Sequence, residues 1–530
     1  MTGVLLLIGV VIIICILSNR FTEKLPIPSL LVFLALGICF GENGVFRIQF
    51  NDYQIAETIC SICLIFIMYY GGFGTNIKAA KSVLAKSVLM STVGVVLTAG
   101  FVGAFVHFCF GIGWLESLLV SSVIASTDAA SVFHILRSQR LNLKDNTASL
   151  LEIESGSNDP ISYMLTVVLV TMLSGKEISI PLMLAQQVVL GIGCGILLGK
   201  LSVWALNKFH FNIAQGRTIF VFAVAVLGYA LPAFIGGNGY LSVYLCGIIL
   251  GNAKIPDKRE QVHFFDVLTG VCQMMIFFLL GLLVTPTELP AVILPALLIM
   301  LFMTLVGRPL ATTMILLPFR SSFRQIGVVS WAGLRGVASI VFAIYAVLNG
   351  VPLKYNLFNL VFCVVLFSIS LQGSLLPWVS KKLKMIDNKA DVRRTFNDYQ
   401  EESDINFVKI HIGTGHPWVG KNLKEIPLPA EFLVTIILRK QDQVVVPNGD
   451  TVIQEGDLLV IAGEGFEDRE NLTMQEVTVE KGHKWNNLPL SQVPIPKGTL
   501  IVMVQRPGET IIPSGDTVIR TGDVLVVARF

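Results

Sequence analysis

Apolar runs separated by short polar breaks fill the first 380 residues, and alternating short strands follow from about residue 405. A helix that crosses the hydrocarbon of a bilayer needs roughly 20 predominantly apolar residues. Thirteen runs are candidates, centred roughly on residues 10, 35, 65, 98, 125, 162, 192, 226, 245, 271, 302, 335 and 366. The second and ninth are short and contain glycine. After Trp378 the pattern breaks into "SKKLKMIDNKADVRRTFNDYQEESD", a charged linker whose basic first half suits an anionic membrane surface. Beyond it lies an internal repeat: "VVVPNGDTVIQEGDLLVIAG" (Val444–Gly463) and "TIIPSGDTVIRTGDVLVVAR" (Thr510–Arg529) share eleven of twenty residues. Each copy reads as strand, short helix, then strands joined by a PxGD turn in which Gly449 or Gly515 permits the bend. The expected organisation is a membrane domain over 1–380, a linker over 381–404, and two small α+β modules over 405–465 and 470–530.

Composition agrees with a polytopic α-helical membrane protein. Hydrophobic residues make up 53% and charged residues only 14%, against about a quarter charged in soluble domains. No Lys or Arg precedes the first run, whereas Arg20 and Lys24 follow it, so it reads as an uncleaved span and not a signal peptide. With the N-terminus outside, the inside loops hold Arg20 and Lys24; Lys78, Lys81 and Lys86; Arg137, Arg140 and Lys144; Lys208 and Arg217; Lys254, Lys258 and Arg259; Arg320 and Arg324. The outside loops hold only Arg47, Lys176 and Lys354. This asymmetry is the positive-inside pattern, and it puts the C-terminal modules in the cytoplasm.

Several local motifs carry no chemistry. The nine cysteines lie in apolar segments and none follows Cys363, so Cys60-x-x-Cys63 reads as packing. His107 and His134, near span ends, read as packed or interfacial. "GTGHPWVG" (Gly413–Gly420) fails as a dinucleotide fingerprint, because Pro417 and Trp418 stand where the phosphate-binding helix should open.

"EIESGSNDP" (Glu152–Pro160) differs, since it sets three carboxylates inside a span. A charge at mid-helix costs ~2.5–3.5 kcal/mol on insertion scales, which makes it a functional candidate by default. Ser155 and Asp159 share one helical face, and Glu154 and Asn158 form the adjacent stripe. Pro160 cannot donate to the Gly156 carbonyl, so oxygen ligands of the kind hard cations favour gather there. The preceding span adds Ser126, Thr127 and Asp128 in "SSVIASTDAAS". The twelfth adds Arg335 in "SWAGLRGVAS". Arg335 needs an acidic partner, and Glu154 is the candidate, which leaves Asp159 uncompensated. Asp128 either caps a broken helix or belongs to the site. Arg308, in "VGRPLA", either bonds carbonyls freed by Pro309 or serves transport. In a site of low dielectric, a proton and a small cation compete for the same carboxylate oxygens. One carboxylate carrying either H⁺ or one monovalent cation predicts electroneutral one-for-one exchange.

"LEIESGSNDP", "ASTDAASVFHILR" and "SWAGLRGVAS" closely resemble, in order, the signature stretches of NhaP-type bacterial cation:proton antiporters, and the resemblance covers the whole membrane part. The tandem modules look like RCK-C (TrkA-C) domains, which points to the potassium/proton branch. The resemblance implies thirteen spans as two inverted six-helix repeats (the NhaA/NhaP-like fold) joined by the seventh. It implies unwound fifth and twelfth spans crossing at the ion site, and a homodimer with an elevator-like movement. It assigns cation and proton binding to Asp159, coordination to Ser155 and the Thr127 backbone, the place of an Asp in electrogenic relatives to Asn158, a helix break to Asp128, and a structural ion pair to Glu154 and Arg335. The family usually has Pro after this Asp, where Ala129 stands here.

The expected protein is therefore a secondary transporter of the bacterial inner membrane, not an enzyme. It exchanges K⁺ (in preference to Na⁺) for H⁺ in pH homeostasis, with no cofactor and no nucleic-acid partner. Related RCK-C domains bind nucleotides, including cyclic dinucleotides, so such a regulator and a plain dimerisation role both stand. A cation channel gated by cytoplasmic modules is the alternative, although "YYGGFGT" (Tyr69–Thr75) lacks a selectivity-filter ladder.

Overall fold

The computed structural model describes residues 29–387 except 43, 49, 51, 129–130, 133–134, 137–140, 142, 176–178, 210–214 and 352, residues 405–529 except 414–415, 427, 429–431, 440–442, 465–472, 480–483, 494–498, 507–508 and 512, and positions 9, 13, 14 and 16. The chain divides into two compact units, Met1–Gln400 and Glu401–Phe530. The span expected near residue 10, with Arg20 and Lys24, lies largely outside the described residues. So do Ala129, His134, Arg137, Arg140, Lys176 and the linker from residue 388 to 404.

The first unit is helical. Its helices are α1 (Ser29–Phe40), α2 (Tyr53–Gly74), α3 (Leu84–Phe110), α4 (Trp114–Val123), α5 (Thr147–Leu173), α6 (Ile180–Lys208) and α7 (Gly216–Phe234). They continue as α8 (Gly239–Asn252), α9 (Lys258–Leu283), α10 (Leu289–Leu316), α11 (Phe323–Trp331), α12 (Val337–Leu348) and α13 (Leu357–Lys382). Seven of the described helices are long and apolar enough to cross a membrane: α2, α3, α6, α7, α9, α10 and α13.

Two contacts bring helix backbones together over glycines. α2 packs on α8, where a Cβ at Gly72 would collide with the Tyr244 carbonyl and one at Gly247 with the Tyr69 carbonyl. α1 packs on α9 in the same manner, Gly37 against Phe278 and Gly281 against Leu34. Small residues at such crossings let backbones approach where lipid gives no hydrophobic drive for association.

Two further features match across the sequence. α3 contains a π-helical turn at Met90–Gly94 and α10 one at Met303–Gly307, with sequences MSTVG and MTLVG, while a third, Ser368–Gly373 in α13, has no counterpart in α5. The segments expected as spans near residues 125 and 335 are both interrupted. α4 ends at Val123 and residues 125–128 have no helical form, while α11 ends at Trp331 and the helix resumes only at Val337.

The second unit holds two sheets of identical topology. Strands β1 (Ile405–His411), β2 (Phe432–Arg439), β3 (Gln443–Val445) and β4 (Leu458–Glu464) run in the order β1-β4-β2-β3. β5 (Thr473–Thr478), β6 (Thr499–Arg506), β7 (Glu509–Ile511) and β8 (Val524–Arg529) run β5-β8-β6-β7, and every pair in both sheets is antiparallel. Each buries a small apolar core, around Ile437, Ile453 and Leu459 in one and Val504, Ile519 and Leu525 in the other.

Two expectations for these modules need correction. The short helix is a single 3₁₀ turn in each, Leu423–Glu425 and Leu490–Gln492. The left-handed glycines among the described residues of this unit are Gly420 (φ +80°), Gly456 (φ +86°) and Gly522 (φ +92°), not Gly449 and Gly515. In the PxGD turns a side chain closes the bend instead: Thr451 accepts from the Asn448 N–H and Thr517 from the Ser514 N–H.

Candidate ion-binding site

The two interrupted spans meet at their breaks. The Asp128 N–H donates to the Leu334 carbonyl at 2.8 Å, and the Arg335 N–H donates to Ser368 Oγ on α13 at 3.0 Å. Glycine at 336 is required by this approach, since a Cβ there would overlap the Asp128 carboxylate. Breaking a helix frees carbonyls that no water can satisfy at this depth. The fully buried Arg335 takes two of them, donating through Nη1 to Ala125 O at 2.6 Å and Ser126 O at 2.7 Å.

α5 supplies the other wall. It runs unbroken through Pro160, whose own carbonyl accepts from Asn238 Nδ2 at 2.9 Å. Ser155 Oγ donates to the Thr127 carbonyl, and Asn158 Nδ2 donates to Thr127 Oγ1 at 2.5 Å. Ser126 Oγ donates to Asp159 Oδ1. Asp128 turns to its own segment, accepting from the Ser131 hydroxyl at 2.5 Å and, at 3.4 Å, from its N–H. The residues singled out by sequence, Asp159, Ser155, Asn158, Thr127 and Asp128, therefore converge on one crossing. Asp159 is half-buried, and none of the ion pairs among the described residues includes it.

The ion pair expected between Glu154 and Arg335 is not formed. Glu154 Oε1 binds Arg308 Nη2 on α10 at 2.8 Å, and Arg308 also donates to the Val329 carbonyl at 3.3–3.4 Å. The physical reason is geometric. Gly333, where a Cβ would overlap Arg308, admits that guanidinium to Glu154, while Arg335 points at the broken end of α4. The two arginines have exchanged the roles sequence gave them. Sequence placed Ser126 in the second polar patch but gave it no ligand role, whereas in the structure it is the hydroxyl that reaches Asp159.

The crossing offers two carboxylates (Asp159, and Asp128 turned to Ser131), three hydroxyls, an amide oxygen and a carbonyl. Oxygen ligands of this kind suit a hard monovalent cation. Asn158 Oδ1 lies fully buried with no hydrogen-bond donor.

Comparison with known proteins agrees with this chemistry. The family model described as "Sodium/hydrogen exchanger, transmembrane" matches residues 9–382, and that of the TrkA-C domain matches 407–465 and 474–528. A K(+)/H(+) antiporter NhaP2 of Shewanella sp. (strain ANA-3) is 34% identical over 85% of this chain and 79% of its own. A K(+)/H(+) antiporter NhaP of Alkalimonas amylolytica is 34% identical over 82% and 76%. The solved structure of the sodium proton antiporter MjNhaP1 from Methanocaldococcus jannaschii at pH 8 shares the fold, with a TM-score of 0.64 and 23% identity over 72% of this chain and 99% of that one. These relatives are transporters and not enzymes. The chain belongs to the sodium/hydrogen exchanger family of monovalent cation/proton antiporters, and it carries two TrkA-C domains after its membrane part.

Proposed function

We propose that this protein exchanges K⁺ for H⁺, one for one and without net charge movement, by presenting Asp159 alternately to each side of the membrane. The observation that carries the reading is the state of Asp159. It lies at the crossing of two interrupted spans, held by one serine hydroxyl and by no basic group among the described residues. Ser155 and the Thr127 carbonyl, now bonded to each other, would turn to the ion together with Asp159, with Asn158 and Asp128 holding the unwound segment.

K⁺ in preference to Na⁺ rests on the relatives' names. Two inverted repeats are supported by the matched features. Exchanging α1 with α8 and α2 with α9 turns the α2–α8 contact into the α1–α9 contact, and the π-turns of α3 and α10 lie seven spans apart, an odd number that reverses direction. Such repeats are the usual basis of alternating access. The protein works in this reading as a homodimer of the bacterial inner membrane, as the family resemblance implies. The charge asymmetry of the loops supports a C-terminal unit in the cytoplasm. There the TrkA-C pair would regulate flux in pH homeostasis, through a nucleotide or by dimerising.

The test uses proteoliposomes loaded with a pH-sensitive dye. Pulses of K⁺, Na⁺ and Li⁺ should release protons, most strongly for K⁺, at a rate insensitive to an imposed membrane potential. Asp159→Asn should abolish the response in correctly folded protein. Exchange retained in that variant removes the mechanism, and potential-driven cation flux without proton release makes the protein a channel.

A further inference from the structure

A carboxylate outside the crossing stands near the Tyr53 end of α2. Glu57 sits in the first turns of α2, half-buried, and none of the ion pairs among the described residues includes it. Its Oε1 accepts from Ser61 Oγ at 2.9 Å, and Ser61 Oγ accepts in turn from the Tyr240 hydroxyl at 3.3 Å. Around it stand rings from four other helices: Tyr163 of α5, Tyr229 of α7, Tyr240 of α8 and Tyr345 of α12. Tyr163 and Tyr229 lie 5.0 and 4.9 Å from Tyr240, and Tyr345 lies 5.8 Å from Tyr163.

Helix length explains why such a group can be wet. α8 has 14 residues, about 21 Å, against ~30 Å of hydrocarbon. Its start is recessed to the level of Pro160, as the Asn238–Pro160 hydrogen bond requires. Beyond that start, toward the Tyr53 end of α2, stand the half-buried Tyr163, Tyr229 and Tyr345. Tyr163 follows Asp159 by four residues on α5, about 6 Å along the axis. The rings thus form the wall between Glu57 and the ion site.

We propose that Glu57, Ser61 and the phenols of Tyr163, Tyr229, Tyr240 and Tyr345 form a second cation site, which captures an alkali-metal cation from the membrane face at the Tyr53 end and passes it to Asp159. An unpaired carboxylate concentrates monovalent cations at a cleft mouth. Hydroxyl oxygens and ring faces replace part of the hydration shell while the ion is still one turn from its final ligands. The inference rests on the exchange reading, which the parental protein's cation-driven proton release tests separately.

The experiment measures cation KM in right-side-out and everted vesicles containing the full chain. Glu57→Gln keeps the size and the acceptor for Ser61 while removing the charge. KM at the Tyr53 face should rise roughly fivefold, the scale of one charge at contact distance in water. KM at the opposite face and the rate at saturating cation should keep their parental values. Glu57→Asp should restore KM, and Tyr345→Leu, which removes a ring from the same wall, should raise KM at that face alone. A KM unchanged at both faces, raised equally at both, or a lowered maximal rate with KM unchanged overturns the proposal.

Discussion

The place of Asp159 at the crossing was legible in sequence, because a carboxylate inside an apolar run has few structural excuses and "ESGSNDP" offers it no basic neighbour. The choice between two intramembrane arginines was not legible. Both Arg308 and Arg335 lie in glycine-flanked segments, and only the folded chain shows that Gly333 clears a path from Arg308 to Glu154. The pair is buried at both ends. Removing one partner of such a pair strands a charge, which typically costs about 3–5 kcal/mol. Arg308→Met should therefore lower thermal stability in detergent sharply, and adding Glu154→Gln should recover part of the loss. The same cycle between Glu154 and Arg335 should give a smaller coupling, because Arg335 is bound to carbonyls of Ala125 and Ser126. Fluorescence-detected thermal melts of the six proteins measure both couplings, and a larger value for Glu154–Arg335 returns the pair to its sequence-based assignment.

Hydropathy located the helices but said nothing of which ones touch. The centres near 125 and 335 fall on breaks, which the polar stretch "ASTD" and the glycines around Arg335 had foreshadowed. The π-turns escaped notice because MSTVG and MTLVG look like ordinary span interior, and only their matched placement makes them informative. The glycine crossings escaped for the same reason, since 46 glycines in the chain dilute any one of them. In the structure they are specific. At Gly251 on α8 an added Cβ would overlap the Phe73 carbonyl, whereas at Gly193 on α6 it would meet nothing within 4 Å. A helix contact made over backbone carbonyls cannot yield by rotating a side chain. Gly251→Ala and Gly281→Ala should each reduce the yield of monodisperse protein severalfold. Gly193→Ala should leave it unchanged or raise it, as alanine is the better helix former by ~1 kcal/mol. Size-exclusion profiles of the fluorescent fusions read the difference, and equal behaviour of all three variants would remove close approach as the cause.

The chain combines a helical unit whose stability depends on lipid with a sheet unit that has its own polar locks, so the two should answer acid differently. In the sheet unit the repeated GD step was visible in sequence, but its purpose was not. Arg439 binds Asp457 through two hydrogen bonds of 2.8 Å and also donates to Val452 O, while Arg506 binds Asp523 at 2.8 and 3.1 Å and donates to Val518 O. The left-handed Gly456 and Gly522 set the aspartates at these positions. Burial alone would raise both carboxyls, but the guanidinium in each case, with a backbone N–H from Gln454 or Arg520, outweighs it and holds them below the ordinary value. A carboxyl depressed in the folded state stabilises fully above its unfolded value of about 3.9 and stops doing so as pH falls through the folded value. Trp418 and Trp485 are the tryptophans of this unit, each packed against one of the two cores, so their emission reports each module. In the 401–530 fragment, emission should stay constant down to about pH 4 and shift only below it, where both aspartates take up protons. Asp457→Asn should move the Trp418 transition to lower denaturant at neutral pH and leave Trp485 alone, and Asp523→Asn should do the reverse. An acid transition already under way near pH 6, or one untouched by these substitutions, would place the acid sensitivity in other groups and reduce the repeated Arg–Asp pair to a packing detail.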